Sequence, residues 1–364
     1  MKLTDILALG SRRVGQELRE AFYLRTSVDL TKPLTIRAIV TNRCNYKCAS
    51  CDYWRRDSYP EEMSLTQWTD ALSSIRQFVG PFNIQFAGGE PFLFKPFLQL
   101  AEWCGAHDIA WGVITNGSAL SAANVKGIVA AKPLNLDISV DGASAAVHDA
   151  SRGIPGSLQR ISAGLRSLRA ARDAAGSSFP IRIKPTVHRH NFHEMPKLVE
   201  WAVEAGATSI DFSPIHRWTP EVTNDLWLRQ EKSEHLEQVV QELVAAKRAG
   251  APIETEESRL LSWPAHFRDE TLVPAVAPCR VGMRNFQISP DGEVHLCWMY
   301  PNIGNLKDTA ARDLWHGPIA KEQRATMTTC AKFGSTDCAT SCLSYRTIGQ
   351  DWKRFRLLSR QPNH

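Results

Sequence analysis

No apolar run in this chain approaches the ~18 residues a helix needs to cross a bilayer. That excludes an ordinary helical membrane protein. There is also no block of lysine and arginine: 43 basic and 38 acidic residues leave a formal charge of only +5 over 364 residues. A nucleic-acid arm is therefore not expected, although the small excess suits an anionic ligand or polar partner. The opening Met1-Lys2-Leu3-Thr4-Asp5 lacks the apolar core of a secretion signal. Repeats and low-complexity tracts are missing too. Cysteine is sparse but grouped. Nine residues fall at 44, 48 and 51, alone at 104, and at 279, 297, 330, 338 and 342. An odd number in two clusters without a signal peptide argues against a disulfide framework. Metal ligation in a reducing cytosol is the better reading, so the expected location is cytoplasmic.

What the chain does contain is an alternation of short β-branched runs and longer helical stretches between about residues 35 and 215. Strands are expected at 35–41, 82–87, 109–115, 134–140, 180–187 and 208–213, with helices at 64–78, 96–107, 119–131, 157–175 and 194–205. Six strand–helix units imply parallel strands joined by right-handed crossovers. Six are too few for a closed eight-fold barrel, so the fold class is α/β, a partial (β/α)6 barrel with an open side. Residues 1–34 read as a helical lead-in, 216–278 as a helical linker, 279–346 as a small α+β domain with a β-hairpin, and 347–364 as a basic tail.

Directly after the first strand come Cys44, Cys48 and Cys51, a CxxxCxxC tripod. Ligands of such folds sit at the carboxyl ends of strands. Three thiolates are one too few to close a [4Fe–4S] cube with protein sulfur, so one iron is left open. Half a zinc knuckle, or buried free thiols, are the plainer alternatives. Zinc would want a fourth ligand close by, and Asp52 is a poor one.

The tripod in this position resembles that of the radical S-adenosylmethionine (radical SAM) superfamily, over roughly residues 35–215. The resemblance implies a [4Fe–4S] cluster on the three cysteines, with S-adenosylmethionine (SAM) chelating the fourth iron. One electron then cleaves SAM to a 5′-deoxyadenosyl radical. The chain departs from the family at Ser50, a position usually aromatic. Gly88, Gly89 and Glu90 look like the family's GGE motif, whose backbone and carboxylate receive the SAM amino group. Ser139 and Asp141, with Asn116, resemble the polar strand ends that reach ribose and the methionyl part. Arg152 resembles the arginine that pairs with the methionyl carboxylate, and Ile215 ends the strand that gives backbone contacts to adenine. For each, a polar loop with an Asx turn is the bland alternative. Lys184, with His188, His190 and His216, lies near strand ends where proton carriers sit. Lys184 is the preferred one, with ordinary loop residues as the competing reading.

The second cysteine group surrounds Ser289-Pro290-Asp291-Gly292, a hairpin turn. It resembles the SPASM/twitch extension of radical SAM enzymes. Five cysteines suffice for one auxiliary [4Fe–4S] cluster, with Cys279, Cys297, Cys338 and Cys342 as expected ligands. Cys330 is then the spare thiol, an alternative ligand, an inert residue or a hydrogen-atom donor. A zinc ribbon is the alternative for the region, but it lacks paired CxxC spacing. Cys104 reads as a buried helix cysteine.

The resemblance implies an enzyme that abstracts a substrate hydrogen atom, with a flavodoxin- or ferredoxin-type protein as reducing partner. Oxidation or epimerisation of a sugar- or aminocyclitol-like intermediate is the first expectation. Thioether or carbon–carbon crosslinking of a ribosomally made peptide is the second. It stands lower because about 34 residues before the first strand are too few for a peptide-recognition domain. A non-catalytic Fe–S or zinc protein is the third; it makes no use of Glu90, Ser139 or Arg152.

Overall fold

The computed structural model describes residues 3–56, 58–59, 61–217, 224–229, 232–270, 278–333, 335 and 338, with side chains from residue 12 onward. Cys342 and the basic tail lie outside the described residues. Helix α1 (Leu3–Thr26) leads in. Then follow β1 (Thr35–Thr41), α2 (Leu65–Val79), β2 (Phe82–Gly88), α3 (Phe97–Ala106), β3 (Ile109–Thr115), α4 (Ala122–Ala130), β4 (Asn135–Ile138), α5 (Ala145–Arg152) and α6 (Ser157–Ala174). The second half of the barrel is more broken: β5 (Ile181–Ile183), β6 (Thr186–Val187), α7 (Met195–Glu204), β7 (Ser209–Ile210) and β8 (Ser213–Pro214). Helices α8 (Ser233–Arg248), α9 (Glu257–Leu261) and α10 (Trp263–Phe267) precede the hairpin β9 (Asn285–Ile288) and β10 (Val294–His295). Helices α11 (Ala311–His316) and α12 (Pro318–Met327) close the described chain. None of the described helices is long and apolar enough to cross a membrane.

Strands β1, β2, β3, β4, β5 and β7 pair in that order, all parallel. The sheet does not close into a barrel. It is extended past β1 by the hairpin: β9 pairs parallel to β1, and β10 antiparallel to β9. The expected fifth and sixth strands are each split in two, and β6 pairs with β8 in a separate two-stranded sheet. Pro185 interrupts one expected strand, because proline cannot donate to the ladder.

The outer face is apolar and sealed. Ile36, Ala38 and Val40 of β1, Ile84 and Phe86 of β2, and Leu136 and Ile138 of β4 join one core with Trp68, Leu72 and Ile75 of α2. Ser64 starts α2 with a capping box, its hydroxyl taking the Gln67 N–H while the Gln67 side chain takes the Ser64 N–H.

Helix α1 is an integral strap. Gln16 donates to the Met283 carbonyl at 2.6 Å, and Arg284 pairs with both Glu17 and Glu20. The stretch expected as a linker is partly helical, and Ile253 bridges to β7 at Ile210.

Candidate active site

The tripod loop is gripped from two sides. From β2, Gly89 N donates to Thr41 O and Glu90 N to Arg43 O, both at 2.8 Å. A Cβ on Gly88 would overlap the Thr41 carbonyl oxygen, and one on Gly89 would overlap that of Arg43. These glycines therefore let two stretches of main chain touch, whatever they do for a ligand. From α5, Ser151 O accepts the Ala49 N–H at 2.9 Å. Gly153, at φ +67°, ends that helix in the left-handed region, and a Cβ there would strike the Lys47 carbonyl. Trp54 Nε1 adds a bond to Cys48 O at 3.0 Å.

Each tripod sulfur faces an N–H donor. Cys44 Sγ accepts from Tyr46 N at 3.4 Å and from Asn116 Nδ2 at 3.8 Å. Cys48 Sγ accepts from Arg152 Nη1 at 3.8 Å, and the backbone N–H of Tyr53 serves Cys51. Burial nevertheless raises the Cys44 thiol and pushes Cys51 up to about 11, with the neighbouring thiols adding to the effect. Donors aimed at thiols that resist ionising alone suit sulfurs meant to bind a cation, which supplies the missing charge. The donor set thus fits an iron–sulfur cluster. Among the described residues no three Cys, His, Asp or Glu side chains converge tightly enough to hold a single metal ion. A four-iron cube carries its own breadth and asks for less.

Glu90 is fully buried. Its carboxylate accepts from Thr115 Oγ1 and Asn116 N at 2.8 Å and from Phe92 N at 3.3 Å. Burial pushes it up to about 7 against the pull of those three donors. In this structure the carboxylate braces the ends of β2 and β3.

Asn116 is buried, its amide donating to Asn45 Oδ1 at 2.9 Å as well as to Cys44. Ser139 is half-buried, and its hydroxyl has no partner among the described residues. Ile215 gives its N–H to Val187 O at 2.9 Å, and its carbonyl is met by His266 Nε2 at 2.8 Å. Both backbone groups expected to face adenine are thus already engaged. Lys184 Nζ donates to Asp211 Oδ2 at 2.7 Å.

Arg152, for which a polar loop was the alternative reading, lies in the last turn of α5. Ser144 caps the start of that helix by accepting from Val147 N. Asp141 holds the guanidinium by a hydrogen bond from Nη2 to Oδ1 at 2.9 Å and an ion-pair contact between Nε and Oδ2 at 2.7 Å. Burial alone would raise Asp141, but Arg152 and His188 outweigh it and hold the carboxylate below its usual range. Ser151 and Asn191, which sequence reasoning did not assign, complete the cluster together with His188. Ser151 Oγ donates to Asp141 Oδ2 at 2.9 Å and lies 3.0 Å from His188 Nε2, while Asn191 Nδ2 donates to Asp141 O at 2.8 Å. Burial pushes His188 down to about 4, so it is a neutral, enclosed imidazole, not an exposed loop residue. The Ser-Arg pair after an N-capping serine was the one local hint of this arrangement.

The inner face of the sheet is polar, the reverse of its outer face. Gln287, Arg37, Gln85, Gly112 and Asn135 stand side by side in register across five strands. Deeper in the curve, Arg182 forks onto Asp137 at 2.7 and 3.0 Å and reaches Glu254 at 3.3 Å. Asp137 fixes the Asn135 amide, whose Nδ2 donates to it at 2.9 Å and to Gln85 Oε1 at 3.2 Å. Gln85 must then turn its own Nε2 away as a donor. That atom, with Gln287 Nε2 and Asn285 Oδ1, is buried without a hydrogen-bond partner among the described residues.

At the far end of the same sheet Cys279, Cys297, Cys330 and Cys338 gather. Burial pushes Cys297 up to about 11, and the other three thiols add to the effect. Cys330 bonds to the Tyr300 hydroxyl. The thiol expected to be spare therefore sits inside the group. Because β10 runs antiparallel to β9, Cys297 emerges where β1 begins, whereas the tripod follows where β1 ends.

A radical SAM superfamily model matches residues 38–202, and a SPASM model, described as an iron–sulfur cluster-binding domain, matches 279–343. The chain belongs to the radical SAM superfamily and carries a C-terminal SPASM domain. Its cofactors are accordingly SAM and iron–sulfur clusters. Over 178 residues it is 31% identical to the AdoMet-dependent heme synthase of Methanosarcina barkeri, and that match spans about half of either chain, 49% of each. Over 303 residues it is 26% identical to the PqqA peptide cyclase of Xanthomonas campestris pv. campestris, covering 81% of this chain and 76% of the relative. The crystal structure of Streptococcus suis SuiB bound to precursor peptide SuiA shares the fold, with TM-score 0.67 at 15% identity over 90% of this chain and 75% of that one.

Proposed function

We propose that this enzyme modifies a ribosomally made precursor peptide by abstracting a hydrogen atom from one of its carbons. The observation that carries the reading is the match to a peptide cyclase along 81% of the chain, through both the barrel and the SPASM region. The expected sugar- or aminocyclitol-like substrate gives way to it. The polar inner face agrees, since Gln85 and Gln287 offer amide donors of the kind that pair with peptide carbonyls. A role in heme synthesis is the second reading, favoured by the 31% identity that covers half the chain.

When bound, the cluster and SAM together supply an electron and a carbon-centred radical able to take a hydrogen atom. The chain's own part is to hold and shield. Cys44, Cys48 and Cys51 would ligate the cluster; Asn116, which touches Cys44, and Ser139, at the end of the neighbouring strand, would help receive SAM. Lys184, anchored by Asp211, is the residue best placed to carry a proton in the lumen. Cys279, Cys297, Cys330 and Cys338, with Cys342, form the pool from which an auxiliary cluster would draw its ligands and accept the second electron of a net oxidation. A flavodoxin- or ferredoxin-type protein would supply the first.

The anaerobically reconstituted protein, given dithionite and SAM, is expected to release 5′-deoxyadenosine, and Cys44→Ala to abolish that release. A short peptide encoded beside this chain should then change mass on incubation. Turnover without any change in such peptides, but with consumption of a heme precursor, would move the assignment to the second reading.

A further inference from the structure

We propose that Asp141 is a positioning residue that fixes the Arg152 guanidinium against the Cys48 sulfur and thereby sets the reduction potential of the tripod's cluster. An arginine side chain has several rotatable bonds and does not hold one pose unaided. Asp141 takes it by one hydrogen bond, Nη2 to Oδ1 at 2.9 Å, and by an ion-pair contact of Nε with Oδ2 at 2.7 Å that lacks hydrogen-bond alignment; Nη1 is left directed at Cys48 Sγ, 3.8 Å away. Only a planar fork can serve a carboxylate and a sulfur at once; a lysine ammonium is a single point.

The carboxylate is fixed in turn. Thr186 N donates to Oδ1 at 2.8 Å and Ser151 Oγ to Oδ2 at 2.9 Å. Asn191 Nδ2 bridges Asp141 O and Thr186 O, both at 2.8 Å. His188 closes the chain. Its Nδ1 accepts the His190 N–H at 3.2 Å, so the ring proton is on Nε2 and is given to Ser151 Oγ at 3.0 Å. His148 Nδ1 accepts the Asp141 N–H at 3.1 Å, tying the same residue to α5. Asp141 and His148 have no measurable exposure, and Arg152 keeps only 9%. Water does not compete for these bonds.

Hydrogen bonds and positive charge at a cluster's sulfurs favour its reduced, more negative form. The cluster must be reduced before SAM is cleaved, so the grip on Arg152 bears on the first step of turnover. None of these residues need touch SAM or substrate. They act through the guanidinium.

The test is the midpoint potential and electron paramagnetic resonance spectrum of the tripod's cluster in the reconstituted full chain, with iron per chain and thermal midpoint recorded alongside. Arg152→Gln and Asp141→Asn are both expected to load iron, shift the potential negative and lower the fraction reduced at fixed poise several-fold. Arg152→Lys should not restore the wild-type value. The sign for Asp141→Asn decides between mechanisms. Removing a negative charge without moving Arg152 would raise the potential, so a rise, or no change, overturns the proposal. Should Asp141→Asn fail to fold, Ser151→Ala keeps every charge and removes one of the bonds that orient Asp141. A smaller negative shift supports the proposal, and an unchanged potential and spectrum refute it.

Discussion

Arg284 and Glu20 meet as a two-pronged pair, Nε to Oε1 and Nη2 to Oε2, both at 2.6 Å, with the side chains 4% and 0% exposed. One lies just before the SPASM-region hairpin and the other in the lead-in helix, so the pair ties α1 to the start of that region.

Removing Glu20 leaves the buried Arg284 with the partly exposed Glu17 at 2.9 Å, so the loss stays below the ~3–5 kcal/mol typical of an unpaired buried charge. Glu20→Ala should still lower the denaturation midpoint of the apo-protein, whereas an exposed pair such as Arg56–Asp52 should contribute little when broken. Urea unfolding of both variants compares them directly. Equal midpoints would show that α1 does not brace the fold.

Gly89→Ala should disturb the tripod more than the stability. The added methyl has the Arg43 carbonyl in its path, so the loop bearing Cys44 must move. Reconstituted Gly89→Ala is expected to lose the iron of one cluster, about four atoms per chain, while the sheet's circular dichroism persists. Retention of full iron would mean that the loop yields without losing its ligands.

The far-end cysteines allow a direct count. Cys297→Ser and Cys279→Ser should each lose the auxiliary iron yet still cleave SAM, because the tripod is untouched. Cys330→Ser tests whether the thiol beside Tyr300 is a ligand. If iron content holds but the peptide product is lost, Cys330 acts on the substrate instead.

Glu90 gives the apo-protein a pH signature. Its folded value of about 7 lies above the ordinary 4.5, so the unfolded chain gives up this proton first. The contribution is complete below pH 4.5 and is lost as pH rises through about 7, a change of about 3 kcal/mol if the group acts alone. Glu90→Gln should flatten the slope of stability between these values. Parallel curves for wild type and variant would show that Glu90 is already ionised in the folded state at lower pH.

The parts of the fold legible in the sequence are those fixed by local pattern. The bounds of β1 and β3 follow from their β-branched runs, and α2 from its capping serine. The tripod and the paired glycines stand out because their spacing is local too. Long-range pairing was hidden. Nothing in Asn285–Ile288 announces that it will lie beside β1, some 250 residues earlier, since any short buried strand reads the same way. The roles of Arg152 and Glu90 were hidden for a related reason. Each has a type and position that suit a ligand, and the contacts that Asp141 makes with Arg152 and Thr115 with Glu90 are set by tertiary packing that local spacing does not show. Helix α5 is too short, and too polar in composition, for its period to show against the loop around it.

The shared strand also works as a ruler. Thr35–Thr41 rises about 20 Å over its length, and with β9 hydrogen-bonded alongside, neither cysteine group can drift toward the other. Inserting a pair of residues into β1 would leave both groups chemically whole while widening the gap between them by about 7 Å. Each centre would still assemble, and electron transfer between them, if the auxiliary cluster accepts the second electron as proposed, would slow.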